Sequence, residues 1–402
     1  SSLVGSEMCI RDSEKDGYRN TTLTLKTGLK INEQMRVSFS ARESDGMNQY
    51  DTDKDFDGLV EDREIAANEP KSEFDSSTMR LRGDFSSPDG SWQHKIMIAR
   101  STNDNIAFAD GAQGNTTAST KDQYQYVGSV SFAEGAKTLS FLAERDEEDW
   151  MQRGELSYGS DPSQDRERNT DSLAIEYRMD INDRLTLAAS GRHEDNSEFD
   201  SSKTFRGEAI YQLSDKMRVR GAFGTAVKNP TFTERFGYFT NFVGNPNLVP
   251  EESTSWEIGF DRRVTAGTLT LSATVFDAEL ENEINGFIYD YATYTATSGN
   301  IDGKSERQGV EISAAGNLSD SLSLSAAYTY TDSSEGDSVK EIRRPKNTAS
   351  FNLGWQVAEK LFMNTNIQFT GDQTDTNFVA YDADAGAYEV VTMDSHTLIN
   401  LN

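Results

Sequence analysis

Residues 321–331 read SLSLSAAYTYT, and the alternation in this stretch decides the fold. Leu322, Leu324, Ala326, Tyr328 and Tyr330 fall on one side of an extended chain, and Ser321, Ser323, Ser325, Thr329 and Thr331 on the other, because successive side chains of a strand point to opposite faces. The pattern recurs downstream. Ala349, Phe351, Leu353, Trp355 and Val357 oppose Ser350, Asn352 and Gln356, and Met363, Ile367 and Phe369 oppose Asn364, Asn366 and Gln368. From Tyr18 onward about 17 such strands can be read, most of them about 10 to 13 residues long. A strand tilted near 45° needs about 9 to 11 residues to cross the hydrocarbon of a bilayer, so these are long enough.

The links between strands alternate in length. Tight turns fall near residue 29 and at 87–90, 134–136, 181–183, 213–215, 265–267, 318–320 and 358–360. Long connections fall between them, at about 43–74, 102–121, 147–170, 195–202, 227–251, 289–295, 332–346 and 372–394. An antiparallel up-and-down sheet puts alternate links at opposite ends, so one end carries hairpin turns and the other long loops, as in transmembrane barrels. A soluble sandwich also alternates, but it buries its apolar face. A ring of this many strands is too wide for side chains to fill, so a polar face turned inward suits it better. The face carrying Arg36, Arg80, Arg82, Arg218, Arg220 and Glu257 is then the lumen, and the Leu, Val, Phe and Tyr face meets lipid. Trp92, Tyr124, Tyr126, Trp256, Tyr328, Tyr330 and Trp355 suit interfacial girdles.

Composition agrees with an all-β reading. The 402 residues include 21 Phe and 15 Tyr but only seven Pro, and hydrophobic residues reach only 35%, which fits many half-exposed strands better than helices around a large core. No run of 18 apolar residues occurs, so no helical span is expected. The net charge of -28 argues against nucleic acid as a partner. Cys9 is the single cysteine, which excludes an internal disulfide framework. It lies in SSLVGSEMCIRDS, a stretch with neither strand alternation nor the layout of a secretory signal; residues 1–13 are expected to be a non-native leader resembling sequencing-adapter read-through, and 14–402 one incomplete barrel.

One loop carries a metal-binding pattern. Residues 53–64 read DKDFDGLVEDRE, so Asp53, Asp55, Asp57, the carbonyl of Leu59, Glu61 and a bidentate Glu64 could place oxygens around a hard dication, with Gly58 making the turn. The spacing is that of a calcium loop. The flanks carry no helical apolar stripe and Pro70 follows closely, so an EF-hand is not expected. The alternative is a solvated acidic loop.

Residues 221–260 read GAFGTAVKNPTFTERFGYFTNFVGNPNLVPEESTSWEIGF. This stretch resembles the barrel of TonB-dependent outer-membrane receptors, in which an outgoing strand ends at a Lys/Arg-x-Pro turn and an NPNLxPExSxxWExG segment begins the returning strand. Gly244 to Leu248, Pro250, Glu251, Ser253, Trp256, Glu257 and Gly259 fill that pattern. Supporting segments are 191–199, 271–288 (read as one long strand), 307–313, 343–355 and 396–402, and the likeness leans toward the cobalamin receptor branch. NPNL itself reads as a folding and register signal rather than a ligand contact. The resemblance implies a 22-stranded barrel with a plug and a TonB-contacting box, of which this chain would be a fragment lacking the plug.

It also implies the function: energised uptake, across the bacterial outer membrane, of a scarce ligand such as cobalamin or a ferric siderophore, with lipid and TonB as further partners. Receptors of the cobalamin branch use loop-bound calcium to prepare the ligand surface, which would give residues 53–64 a role. No covalent chemistry is expected, since only His94, His193 and His396 are present and no GxSxG, Walker or HExxH motif occurs. The aromatic residues Tyr238, Phe239 and Phe242, and Tyr289, Tyr291 and Tyr294, suit a ligand mouth. A passive porin and a secreted calcium-binding β-rich adhesin are the rival readings.

Overall fold

The computed structural model describes residues 17–50, 70–109, 111–155, 161–239, 242–264, 268–290, 295–336, 339–382 and 387–402. A single antiparallel wall dominates. Its strands are β1 (Tyr18–Lys30), β2 (Met35–Gln49), β3 (Lys71–Ser86), β4 (Trp92–Ala109), β5 (Ala112–Phe132), β6 (Lys137–Arg153), β7 (Gln164–Asn182), β8 (Leu185–Asn196), β9 (Ser202–Ser214) and β10 (Met217–Lys228). After two short strands, β11 (Tyr238–Phe239) and β12 (Phe242–Val243), the wall resumes with β13 (Glu251–Val264) and β14 (Leu269–Glu281). Strands β15 (Ile284–Asp290) and β16 (Thr295–Asn300) leave it again before β17 (Lys304–Ser319) and β18 (Leu322–Glu335). Beyond the stub β19 (Val339–Lys340) come β20 (Asn347–Ala358) and β21 (Leu361–Thr370), then the separate hairpin β22 (Gln373–Asp382) and β23 (Ala387–Met393), and finally β24 (His396–Leu401).

Each wall strand pairs antiparallel with the next, from β1 to β24. Among the described residues this makes 17 wall strands, the number read from alternation. Among the same residues β1 and β24 each pair with one wall neighbour, and both are exposed along their whole length.

Residues paired across an antiparallel sheet share a face, so the register traces each surface. One row runs Val219, Phe260, Ala273, Ile312, Tyr328, Ala349 and Phe369 over seven strands. Another runs Phe39, Leu81, Ile98 and Tyr124. Among the described residues these rows stay open: Ile98 is 51% exposed and Ile312 52%. A water-soluble surface rarely carries so extended an apolar patch, whereas a lipid-facing one requires it. The opposite face holds Arg36, Arg80, Arg82, Arg218, Arg220 and Glu257, the lumen residues expected from the sequence.

The wall outgrows the expected strands at the end bearing the long connections. Segment 102–121, expected to be a loop, continues as β4 and β5, and 147–170 is largely taken up by β6 and β7. These extensions are mostly polar, so they lack the apolar alternation that marks a half-buried strand, and cross-strand bonds such as Ser77 Oγ to Thr102 Oγ1 (2.8 Å) help to hold them. Segment 372–394 likewise contains the β22–β23 hairpin. The single long strand read over 271–288 is two. It breaks at Asn282, whose φ of 56° ends the pairing; Asn300 donates to its carbonyl, and the Glu251 carboxylate accepts the Ile284 N–H at 2.7 Å.

Candidate functional site

The long-connection end of the wall carries a packed cap, and most of the molecule's core lies there. Of the five buried apolar residues among the described ones, Trp150, Phe232, Leu248 and Ala296 belong to it; Leu269 is the exception. The cap is built on the 229–250 connection. Thr231 starts a short helix, α1 (Phe232–Phe236), through a capping box: its Oγ1 accepts the Glu234 N–H at 3.1 Å while the Glu234 carboxylate accepts the Thr231 N–H at 2.7 Å. Phe232 then stacks on Trp150 of β6, with ring centroids 6.1 Å apart. Arg168 of β7 lies over the Phe232 ring, 4.8 Å from its centroid, donating to the Pro230 carbonyl at 2.8 Å and pairing with Glu148 at 2.7 Å.

Two glutamines fasten the connection to the wall. Gln152, fully buried, donates to the Tyr238 carbonyl at 2.5 Å and accepts its N–H at 3.0 Å. Gln164 donates to the Phe236 carbonyl. Arg235 completes the fixation, paired with Glu198 at 2.6 Å and lying 4.7 Å over both Phe199 and Phe236. None of these side chains was identified from the sequence, because 147–170 and 227–251 read as loops. The Thr231/Glu234 spacing was the signal that could have revealed α1.

The NPNL segment now has a structural account. The Asn245 N–H bonds the Glu234 carbonyl at 2.9 Å and its side chain donates to the Ser298 carbonyl at 3.1 Å, joining α1 to β16. Leu248 is 3% exposed. Gly244 packs so close to α1 that a Cβ would stand 2.6 Å from the Arg235 carbonyl carbon. Glu251 pairs with Lys228 at 2.9 Å; burial works against the Lys228 charge, but Glu251 outweighs it and holds that amine above its usual range. In the WExG that follows, Trp256 faces outward, Glu257 pairs with Arg220 at 2.8 Å, and Gly259 leaves the space through which Arg220 reaches Thr274. The motif is a device for joining cap to wall.

A second polar node lies at the same end of the wall. Arg307 of β17 pairs with Glu283 at 2.5 Å and Glu341 at 3.1 Å, and Arg344 pairs with Glu341 at 3.0 Å. Glu335, at the end of β18, has its pKa raised by burial and by the nearby Glu283 and Glu341 charges. Aromatic pairs line the same end: Phe239 with Phe242 (6.2 Å) and Phe287 stacked on Tyr289 (6.4 Å). Tyr291 and Tyr294 lie outside the described residues, and so do all six candidate calcium positions, Asp53, Asp55, Asp57, Leu59, Glu61 and Glu64. Their connection joins β2 to β3 at this end. Of the histidines, His94 bonds Tyr126 through Nδ1 (2.7 Å) on the apolar face, and His193 approaches the Ser202 carbonyl (3.2 Å), as structural residues do.

Comparison with known proteins matches this architecture. The vitamin B12 transporter BtuB of Photobacterium profundum is 23% identical over 400 residues, covering 97% of this chain and 58% of that protein, so the chain spans a little over half the length of this relative. Among solved structures, the siderophore receptor PirA from Acinetobacter baumannii aligns with a TM-score of 0.78 at 16% identity, over 96% of this chain and 64% of that one. A mutant of the ferric enterobactin receptor PfeA from Pseudomonas aeruginosa gives 0.76 at 14% identity, over 96% and 62%. The family model described as "TonB dependent receptor-like, beta-barrel" matches residues 17–402. The chain therefore belongs to the TonB-dependent receptors, as a receptor barrel of the bacterial outer membrane rather than an enzyme.

Proposed function

We propose that this chain forms the wall and outer mouth of a receptor for energised, TonB-driven uptake of a scarce, large ligand of the cobalamin or ferric siderophore class. The observation that carries the reading is the wall itself: among the described residues 17 strands set a polar face opposite an exposed apolar one, within a chain matched to the receptor family from residue 17 to 402. Eight strands already enclose an interior that side chains can fill, so a wall of this width encloses room for cargo. The cap supplies what a large ligand needs at the entrance, with aromatic faces at Phe239, Phe242, Phe287 and Tyr289 held on a hydrogen-bonded scaffold. The kinship with a vitamin B12 transporter favours cobalamin as the first cargo to test. In cells expressing the receptor, labelled cyanocobalamin or one of a panel of ferric siderophores accumulates only when TonB is present. Accumulation of every cargo at the same rate without TonB would instead describe a passive pore.

The same reading assigns calcium to Asp53, Asp55, Asp57, the Leu59 carbonyl, Glu61 and Glu64. Its support is the ligand spacing and the place of the connection between β2 and β3, beside the mouth. Calcium there would neutralise clustered carboxylates and order the entrance. Calorimetry on the receptor is expected to show one calcium site that Asp55→Ala removes; unchanged uptake in that variant would rule the assignment out.

A further inference from the structure

The lipid-facing side of the wall is not evenly ridged. Across β7 to β10 one row of outward positions runs Tyr177, Ala189, Gly207 and Phe223, so two small residues lie between two rings. The next row toward the tight turns runs Leu187, Ala209, Gly221 and Ile258 across β8 to β13, where the low floor has shifted by one strand. Neighbouring strands are about 4.8 Å apart, so the two walls of each row stand about 14 Å from each other. The depression between them is a cavity of about 710 Å³, a volume in the range of small-molecule sites.

Protein contacts set its walls in advance. Tyr177 stacks on Phe132 with centroids 6.4 Å apart, and Phe223 leans on Phe205 at 5.8 Å. The floor stays open, since a Cβ on Gly207 would meet nothing within 4 Å. Gly128, also on the outer face, is covered instead by the ring of Phe141.

Basic side chains gather at the tight-turn end of this cavity. Arg262 faces Met217 on the outer side, four residues and so about 13 Å along β10 from Gly221. The adjacent turns supply Lys216, whose carbonyl accepts the Arg263 N–H at 2.8 Å, and Arg184, whose carbonyl accepts the Gln212 N–H at 2.7 Å. All four cations are exposed, and among the described residues none has a carboxylate within ion-pair distance. Only Asp183 and Asp215 share the turns with them. Asp180 and Asp261, at the same level, are engaged on the inner face by Arg178 (3.1 Å) and Arg218 (2.7 Å). Elsewhere the tight turns differ: 87–90 and 318–320 carry Asp89 and Asp320 and no cation.

We infer that the cavity seats an acyl chain of an anionic phospholipid whose phosphate rests on Arg262, Lys216 and Arg184. The class of occupant follows from continuity with the lipid-facing side of an outer-membrane barrel, whose short turns mark the periplasmic leaflet. Charge selects among lipids. In a chain of net charge -28, a local excess of cations at membrane-surface level favours an anionic headgroup, and guanidinium groups suit phosphate oxygens. The opposite end of the same outer sector carries Asp195 and Glu252, so the preference has a direction. The site lies outside the barrel, and it holds whichever cargo the receptor carries.

The receptor folded in phosphatidylcholine vesicles tests this with phosphatidylglycerol whose chains carry bromine, a quencher of tryptophan fluorescence. Trp256 borders the cavity, and its signal is the difference between the receptor and its Trp256→Phe variant. Brominated phosphatidylglycerol is expected to quench Trp256 several-fold more strongly than brominated phosphatidylcholine at the same low mole fraction. Trp355, on β20, should respond equally to both lipids. The Arg262→Gln/Lys216→Gln variant is expected to remove the preference, and so is Ala209→Phe, which fills the floor. Should Ala209→Phe fail to fold, the charge variant decides alone, since its side chains are exposed and take no part in the ladder. Equal quenching of Trp256 by the two lipids overturns the inference, as does a preference that survives loss of the two cations. Absence of quenching by either lipid overturns it too, because the face would then be covered by protein, such as a second copy of the chain.

Discussion

The wall and the cap solve opposite problems with the same chain. In the wall, Ile175 and Ile258 are more than half exposed, and the rows they belong to gain nothing from burial against protein. In the cap, Leu248 is 3% exposed and the amide of Gln152 is sealed from solvent. The wall is held by its ladder of backbone bonds, with lipid as the solvent for its apolar side. The cap sits in water, so it must build its own core and pair most of the polar groups that it buries. The same residue type therefore carries different weight in the two regions.

Substitutions turn this contrast into measurements. Trp150→Ala is expected to cost the cap about 3 to 5 kcal/mol, the usual range for truncating a buried aromatic residue. Hydrogen exchange is the readout: amides of α1 and of 242–248 should lose protection while those of β18 and β20 keep theirs. Uniform loss across the wall would show that the two regions are one cooperative unit. Ile258→Arg probes the other region. An arginine near the bilayer midplane of a transmembrane barrel costs about 2 to 4 kcal/mol, read from denaturant unfolding in phospholipid vesicles. An unchanged midpoint would mean that Ile258 does not face lipid. Gln152→Ala removes both bonds to the Tyr238 backbone and is expected to weaken the cap by about 1 to 3 kcal/mol, detected as faster proteolysis between α1 and β13.

How much of each region could be read in the sequence follows from the same physics. The wall was legible because lipid on one side and water on the other force period-two alternation, visible in Leu322 to Tyr330 and sufficient to give 17 strands and the inward set from Arg36 to Glu257. The cap was not. Trp150, Gln152, Gln164 and Arg168 extend β6 and β7 beyond the apolar band, where most residues are polar and no periodicity marks them. The break at Asn282 was hidden for a related reason, since its positive φ and the capture of the Ile284 N–H by Glu251 depend on partners far along the chain. NPNL lies between the two cases: its reading as a folding signal is supported by the bonds of Asn245 and the burial of Leu248, although its partners α1 and β16 were not visible in the sequence.

The smallest effect expected concerns the second node of the cap, where charge rather than packing decides stability. Burial, together with Glu283 and Glu341, holds the Glu335 carboxyl above its ordinary pKa, so the folded cap takes up a proton there more readily than the unfolded chain. The sign follows from linkage. The ionised Glu335 penalises the cap in full at pH values above its raised pKa, and the penalty disappears as the pH falls below the ordinary carboxylate range. Glu341 runs the other way. Burial opposes its charge, but Arg307 and Arg344 more than compensate and lower its pKa, so the stability it contributes is present at neutral pH and is lost as acid protonates it. Glu335→Gln should therefore slow exchange of the β18 and β19 amides at pH 7 and have no effect near pH 3, whereas Glu341→Gln should speed exchange at pH 7 and converge with the parent in acid. If both variants shifted exchange in the same direction at pH 7, the node would be a packing contact and its charges incidental.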